Sequence, residues 1–266
     1  MKRTIRGAVM AAPFLLTPSV LRAQSDGITS PRNASVNAAG AHLLRVEAGA
    51  GILRILGRPG LTQVEVKGTA RANSESVLRD IHLIAERRGD EVFIKSEMPN
   101  ENFSWFNNGN SGALDLIIEV PQGMSARVDD GSGDTEIRGV GDLDASDGSG
   151  EFTVDGASSV HITDGSGGLS ISNVQGDVSV RDGSGDVVAR NVNGSFTIES
   201  DGSGGIFATD IRGSVIIERD GSGEVNATRI GRDFVIRSKG SGSVTYSAVT
   251  GRVDIPERKR RDRNSD

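Results

Sequence analysis

An aspartate recurs at a nearly fixed interval through the second half of this chain. It opens the motif Asp-Gly-Ser-Gly six times, and a seventh copy carries Lys239 in its place. The intervals between successive motifs are 17, 17, 18, 19, 19 and 19 residues. The recurring aspartates are Asp130, Asp147, Asp164, Asp182, Asp201 and Asp220. Carboxylates repeated in this way could bind cations, because calcium takes about six to eight oxygen ligands and carboxylates can supply some of them.

Two interpretations of these aspartates stay open. Carboxylates stacked at the ~4.8 Å spacing of adjacent strands would repel by about 1 kcal/mol per pair in water. Such a ladder would favour bound cations, raised pKa values or side chains that splay apart. Alternatively, each aspartate makes a hydrogen bond to the backbone of its own turn, and this interpretation is favoured. The motif does not match the calcium-binding nonapeptide repeat, so we expect no cofactor and keep calcium as a secondary hypothesis.

The residues between the motifs alternate between apolar and polar. Each repeat holds two such runs, for example residues 169–171 and 178–180, and a lone apolar residue such as Val174 separates them. Alternation with a period of two indicates strands with one buried face, and two strands per repeat indicate stacked coils. The sequence therefore predicts an all-β fold, a right-handed parallel β-solenoid of about seven two-strand coils. A propeller is disfavoured because each blade needs four strands and about 40 residues.

The predicted organisation has four parts. Residues 1–23 have the basic start and apolar stretch of a secretory signal peptide, so we expect export to the periplasm, the cell surface or the medium. Residues 34–128 carry longer, non-repeating strands and are predicted to form a β-rich N-terminal cap. Residues 129–255 form the solenoid, and residues 256–266 form a disordered basic tail. No segment after the signal is long and apolar enough to cross a membrane.

Charge and residue types narrow the function. The net charge is −6, and removing the basic signal makes it more negative, so nucleic acid is not expected as a partner. There is no cysteine, which excludes disulfides and thiolate chemistry, and the three histidines are scattered. Paired carboxylates such as Asp142 and Asp144 are expected in any acidic chain. Because minimal coils leave little room for a cleft, we predict no enzymatic activity and keep a polysaccharide-acting β-helix enzyme as an alternative.

The tandem Asp-Gly-Ser-Gly turns, each followed by an alternating strand, resemble the bacterial putative-adhesin β-repeat family. The resemblance spans roughly residues 40–255 and includes the approach Val120, Pro121 and Gly123 before the first repeat. It implies a β-solenoid exposed outside the cytoplasm. It implies no established reaction and supplies no catalytic residues.

Outward positions of the fourth to sixth repeats carry adjacent apolar residues. Val188 with Phe207, and Ile216 with Val235, fall on neighbouring coils and suggest a protein-contact surface. We therefore predict an exported, non-enzymatic binding or adhesion module of the bacterial cell envelope, whose partner is an envelope or surface protein or a polysaccharide. A periplasmic scaffold or envelope-stress partner protein stays an alternative, because the same rod would serve either role.

Overall fold

The computed structural model describes residues 27–98 and 111–256. The predicted signal peptide, residues 99–110 within the predicted cap and the predicted tail after residue 256 lie outside the described residues. Among the described residues, no helix is long and apolar enough to cross a membrane.

The described chain is built almost wholly from β-strands. The first seven strands and the helix are β1 (Ile28–Asn37), β2 (Leu43–Glu47), β3 (Leu53–Arg58), β4 (Gln63–Ala72), α1 (Glu75–Asp80), β5 (His82–Arg88), β6 (Glu91–Glu97) and β7 (Gly112–Pro121). The strands of the repeats are β8 (Ser125–Asp130), β9 (Thr135–Arg138), β10 (Asp142–Asp147), β11 (Phe152–Ala157), β12 (Ser159–Asp164), β13 (Leu169–Val174), β14 (Val178–Asp182), β15 (Val187–Val192), β16 (Phe196–Ser200), β17 (Ile206–Ile211), β18 (Val215–Ile217), β19 (Asp220–Ser222), β20 (Val225–Ile230), β21 (Phe234–Ile236), β22 (Lys239–Ser241), β23 (Val244–Val249) and β24 (Val253–Asp254).

Twenty-two of the strands form two eleven-stranded sheets that enclose one core, and β19 and β22 form a separate pair. The first sheet runs β1-β4-β7-β3-β9-β11-β13-β15-β17-β20-β23, and the second runs β24-β21-β18-β16-β14-β12-β10-β8-β2-β6-β5. Each strand of a repeat pairs in parallel with its equivalent one repeat away, as β12 does with β14 and β13 does with β15. The predicted β-solenoid of about seven coils is therefore confirmed. We number the coils one to seven by the pairs β8/β9, β10/β11, β12/β13, β14/β15, β16/β17, β18/β20 and β21/β23.

Apolar side chains fill the interior in regular columns. The predicted inward residues of the middle coils are buried, and Phe152, Phe196 and Phe234 are among the largest fully buried side chains. In the last coil the inward-facing side chains are more exposed than in the middle coils, because no later described coil covers them. Tyr246 is 51% exposed there, although its ring still packs 5.9 Å from that of Phe234, centroid to centroid.

The region predicted as a cap contributes strands to the same two sheets. Strand β2 pairs in parallel with β8, and β3 pairs in parallel with β9, so residues 43–58 form one further coil beneath coil one. Strands β7 and β6 pair in parallel with β3 and β2 of this coil, and beyond them the pairing becomes antiparallel, in β1-β4-β7 and in β5-β6. Strand β1 and helix α1 were not expected from the sequence. The helix begins after Ser74, whose hydroxyl accepts a hydrogen bond from the Val77 amide, as expected at a helix N-cap.

The two glycines of the repeated corner lie against the backbone of the neighbouring coil. A Cβ on Gly183 would lie 2.3 Å from the carbonyl oxygen of Gly165 in the coil below. Gly185 has φ +140°, and a Cβ there would lie 1.6 Å from the carbonyl oxygen of Gly167. The two glycines of each motif therefore set the close approach of successive coils.

Candidate functional site

The six repeated aspartates form a column inside the solenoid. Asp147 is in register with Asp130 on one side and with Asp164 on the other, and Asp201 is in register with Asp220. Asp164 is likewise in register with Asp182. All six side chains point into the core, with only 4–7% of each residue exposed. The ladder predicted from the motif spacing therefore exists, but it lies in the interior. We call it the aspartate column.

Asp130 is the member of the column with ordinary hydrogen bonds. The Thr135 hydroxyl donates to its Oδ2 at 2.8 Å, and the Gly131 amide donates to its Oδ1 at 2.9 Å. Burial raises the pKa of Asp130, and both hydrogen bonds act against that rise because they stabilise the charged form. Coil one thus pairs its buried carboxylate with a side chain and a backbone group of its own corner.

The other five aspartates have no hydrogen-bond partner for either carboxyl oxygen. The predicted turn hydrogen bond therefore has ordinary geometry at Asp130, whereas the amides of Gly148 and Gly202 act against the burial-driven rise in the pKa values of Asp147 and Asp201 without forming such a bond. The side-chain donor of coil one is also absent from these coils, because the residue five positions after the aspartate is Thr135 in coil one and an apolar residue in the later coils. These side chains are Phe152, Leu169, Val187, Ile206 and Val225.

Burial raises the pKa values of aspartates in the column. Removal from water raises the pKa of Asp147 to about 7, and the charges of Asp130 and Asp164 contribute to the rise. Burial also raises the pKa of Asp182 to about 8, with further contributions from Asp201 and Asp164. For Asp201 and Asp220, burial again raises the pKa. Asp147 and Asp182 therefore retain protons at pH values where exposed aspartates are charged.

The ends of the column differ from its middle. Glu47 pairs with Asp129, which places Ala48 in register with Asp130 below coil one. Ala48-Gly49-Ala50-Gly51 is thus a degenerate copy of the repeated motif, and Gly51 has φ +139° like the second glycine of each corner. At the other end Lys239 is in strand register with Asp220, and its ammonium group donates a hydrogen bond to the carbonyl of Gly242 at 2.6 Å. An apolar residue and a cation therefore terminate the row of acids.

Nothing in the described part of the chain gathers three or more His, Asp or Glu side chains in an arrangement that could hold a metal ion. The outward carboxylates are engaged elsewhere. Asp142 accepts from the Ser159 hydroxyl at 2.7 Å, and Asp144 pairs with Arg127 at 3.2 Å. His161 is exposed on the outer face of β12. These contacts join neighbouring coils and form no paired-carboxylate centre.

The four residues predicted as a partner surface fall on two different faces. Val188 and Phe207 are in register on the outer face of the first sheet, where both are half-buried. Ile216 and Val235 are in register on the outer face of the second sheet. Val235 is only 8% exposed, so the expectation that it is free to contact a partner is wrong. Its in-register neighbours Ile216 and Asp254 flank it on both sides.

The face with Val188 and Phe207 forms an open groove of about 480 Å³. Its walls combine apolar, hydroxyl, amide and guanidinium groups. The lining residues are Val188, Arg190, Phe207, Thr209, Asn226, Thr228 and Arg229. Asp210 holds Arg229 in an ion pair with a 2.7 Å hydrogen bond, whereas Arg190 is exposed and has no ion-pair partner among the described residues. Sequence reasoning identified the two apolar residues but not Arg190.

Comparison with known proteins gives similarity in structure at low identity. No family model matches the sequence. The curated proteins contain no significant match. A putative lipid binding protein from Parabacteroides distasonis is 14% identical, with a TM-score of 0.44, over 87% of this chain and 99% of the other. A putative adhesin from the same species is 14% identical, with a TM-score of 0.40, over 86% and 98%. A putative cell adhesion protein from Clostridium sporogenes is 11% identical, with a TM-score of 0.36, over the same shares.

Proposed function

We propose that this protein is an exported, non-enzymatic binding or adhesion module of the bacterial cell envelope, and that the groove on coils four to six receives its partner. The groove carries the proposal because it places the half-buried Phe207 and Val188 beside the unpaired guanidinium of Arg190. Aromatic side chains and arginines contribute strongly where surfaces bind partners. The partner accordingly presents an apolar group next to an anionic one.

The groove suits binding better than catalysis. None of its seven lining residues is a carboxylate, a histidine or a free nucleophile of the kind that hydrolytic enzymes use. Its polar groups are the hydroxyls of Thr209 and Thr228, the amide of Asn226 and the two arginines. Such groups can orient a partner through hydrogen bonds while the apolar centre excludes water. An acidic polysaccharide or a surface protein with an acidic patch would satisfy this chemistry.

Binding is tested with the chain lacking residues 1–23 and with envelopes isolated from the producing bacterium. We expect Val188→Asp and Phe207→Asp to lower the amount that sediments with the envelopes by about tenfold or more. Thr153→Asp is the matched control, because Thr153 has nearly the shape of valine and lies on the same outer face two coils away. Loss of sedimentation in the two groove variants, with normal sedimentation of the control, supports the groove as the binding site. Normal sedimentation of Val188→Asp refutes it.

Location is tested separately, by protease digestion of intact cells and of cells with a permeabilised outer membrane. Digestion of the solenoid in intact cells supports adhesion at the surface. Protection until permeabilisation supports a periplasmic binding role. Protection after permeabilisation contradicts export and with it the proposal.

A further inference from the structure

The aspartate column has no part in the proposed binding groove, and its middle five members present a physical problem. An ionised carboxylate removed from water and left without hydrogen bonds costs several kcal/mol, and neighbouring ones repel each other as well. From Asp147 to Asp220, the chain buries five such groups, whose ten oxygen atoms make no hydrogen bond of ordinary geometry within the described residues. Something bound to these oxygens must neutralise part of the charge.

The surroundings of the column limit what that ligand can be. At the position where Thr135 contacts Asp130, the coils of these five aspartates carry a buried apolar side chain, such as Leu169 in the coil of Asp164 and Val187 in the coil of Asp182. Calcium needs about six to eight oxygen ligands, and magnesium needs about six in octahedral geometry. A pair of carboxyls in an apolar interior supplies at most four oxygens, and no three acidic or histidine side chains converge within the described residues. A proton needs only two oxygens, one to carry it and one to accept its hydrogen bond.

We propose that the aspartate column is a proton-binding site, in which carboxyls of successive coils share protons taken up from water when the solenoid folds. Each shared proton converts two carboxylates into a carboxylic acid that donates an Oδ–H···Oδ hydrogen bond to the carboxylate of the next coil. The charge of that pair falls from −2 to −1, and both groups gain a partner. The parallel stacking keeps the carboxyls of successive coils at the ~4.8 Å strand spacing, within reach of such bonds.

Few other charges face the column. The flanking side chains of both sheets are apolar along coils two to six. Asp186 lies near Asp201 and adds to the rise in its pKa, and Lys239 lies near Asp220 and acts against the rise there. Thr135 satisfies Asp130, so the shared protons belong to the run between Asp147 and Asp220. The pKa values of about 7 for Asp147 and about 8 for Asp182 agree with protonation at neutral pH.

The sign of the pH dependence follows from these raised values. An unfolded aspartate has a pKa near 3.8, so between about pH 4 and pH 8 the folded chain binds more protons than the unfolded chain. Stability is then greatest at the acidic side of that range and declines as pH rises through 7 and 8. The surface carboxylates Glu119 and Glu199 have lowered pKa values, because of hydrogen bonds led by Arg58 and Ser179 respectively. The stability that these two carboxylates contribute is lost only as pH falls below about 4.5, which is below the range of the test.

The test uses the chain without residues 1–23, measured in a chelator between pH 5 and pH 8. We expect the Tm to be higher by about 5 °C or more at pH 5 than at pH 8. Infrared spectra of the folded protein at pH 6.5 should show the carbonyl band of protonated carboxyls in an apolar environment. A Tm that does not fall between pH 5 and pH 8, or the absence of that band, overturns the proposal.

Matched variants assign the effect to the column. Asp182→Asn keeps the shape and the hydrogen bonding but cannot titrate, so it should remove about one proton from the uptake on folding and flatten the decline in Tm. Asp144→Asn makes the same change on the outer face, where Asp144 pairs with Arg127, and should leave the decline unchanged. Equal effects of the two variants contradict the assignment. Stoichiometric calcium or magnesium in the dialysed protein, with a matching rise in Tm, would show that a metal ion holds the oxygens and overturns the proton proposal.

Discussion

Coil one and the five coils that follow it bury the same aspartate in different ways. In coil one, Thr135 and Gly131 donate to Asp130, and the carboxylate is satisfied within its own corner. In coils two to six, an apolar side chain replaces the threonine, and both carboxyl oxygens lack a partner. The residue five positions after the aspartate therefore decides whether the carboxylate has a side-chain donor in its own corner or depends on its neighbours in the column. The difference shows that the repeated motif fixes backbone geometry, while the following strand fixes the chemistry.

The largest expected effect comes from the corner that both kinds of coil share. Gly185→Ala should destabilise the protein by about 3 kcal/mol or more, because the new Cβ collides with the carbonyl of Gly167 and φ is +140°. Urea unfolding of the purified variant measures the loss. Gly40→Ala is the control, because Gly40 also has a positive φ, of +72°, but no atom lies within 4 Å of its Cβ position. Similar losses in both variants would show that backbone conformation alone, and not coil contact, requires glycine at the corner.

Much of this comparison could be read from the sequence. The alternation of apolar residues located both sheets, and the motif spacing located the column. The inward direction was also encoded, because Val178, Val180 and Asp182 are two residues apart and strand alternation puts all three on one face. The usual preference of aspartate for turn hydrogen bonds suggested that the carboxyls stay in their own turns. The burial of the strand face instead sets their inward direction. In coils five and six the aspartate lies three residues after the last inward apolar residue instead of two. The register shift after Val180 accommodates the extra residue.

Other features could not be derived from repeat spacing. Residues 43–58 form a coil without the motif, and only the pairing of Glu47 with Asp129 reveals that Ala48 continues the column. The charge that the groove offers to a partner depends on which of its arginines already form ion pairs within the protein. Arg190 and Arg229 both line it, but the partner of Arg229 is Asp210, 19 residues away in sequence and one coil away in space. Such pairings require coordinates.

A smaller effect is expected from making coil one resemble the others. Thr135→Val preserves the shape but removes the hydroxyl that donates to Asp130, so the pKa of Asp130 should rise further. We expect a loss of about 1–3 kcal/mol at pH 8, the usual penalty for an unsatisfied buried polar group, and a smaller loss at pH 5, where the raised pKa leaves less charge on the carboxyl. Urea unfolding at the two pH values measures both. An equal loss at pH 5 and pH 8 would mean that the hydroxyl matters for packing and not for the charge of Asp130.

The reciprocal change tests the comparison from the other side, with the smallest expected effect. Val187→Thr gives Asp182 the hydroxyl donor that Thr135 gives Asp130, at the same position in the coil and with nearly the same volume. The added hydrogen bond stabilises the charged carboxylate, so the pKa of Asp182 should fall from about 8. At pH 8 the variant should gain up to about 1 kcal/mol relative to its stability at pH 5, because the new bond offsets burial of the hydroxyl. NMR titration of the Asp182 carboxyl carbon, with urea unfolding at both pH values, measures the change. If the pKa stays near 8 while the protein folds normally, then the neighbouring carboxyls, and not the residue five positions onward, control the titration of the column.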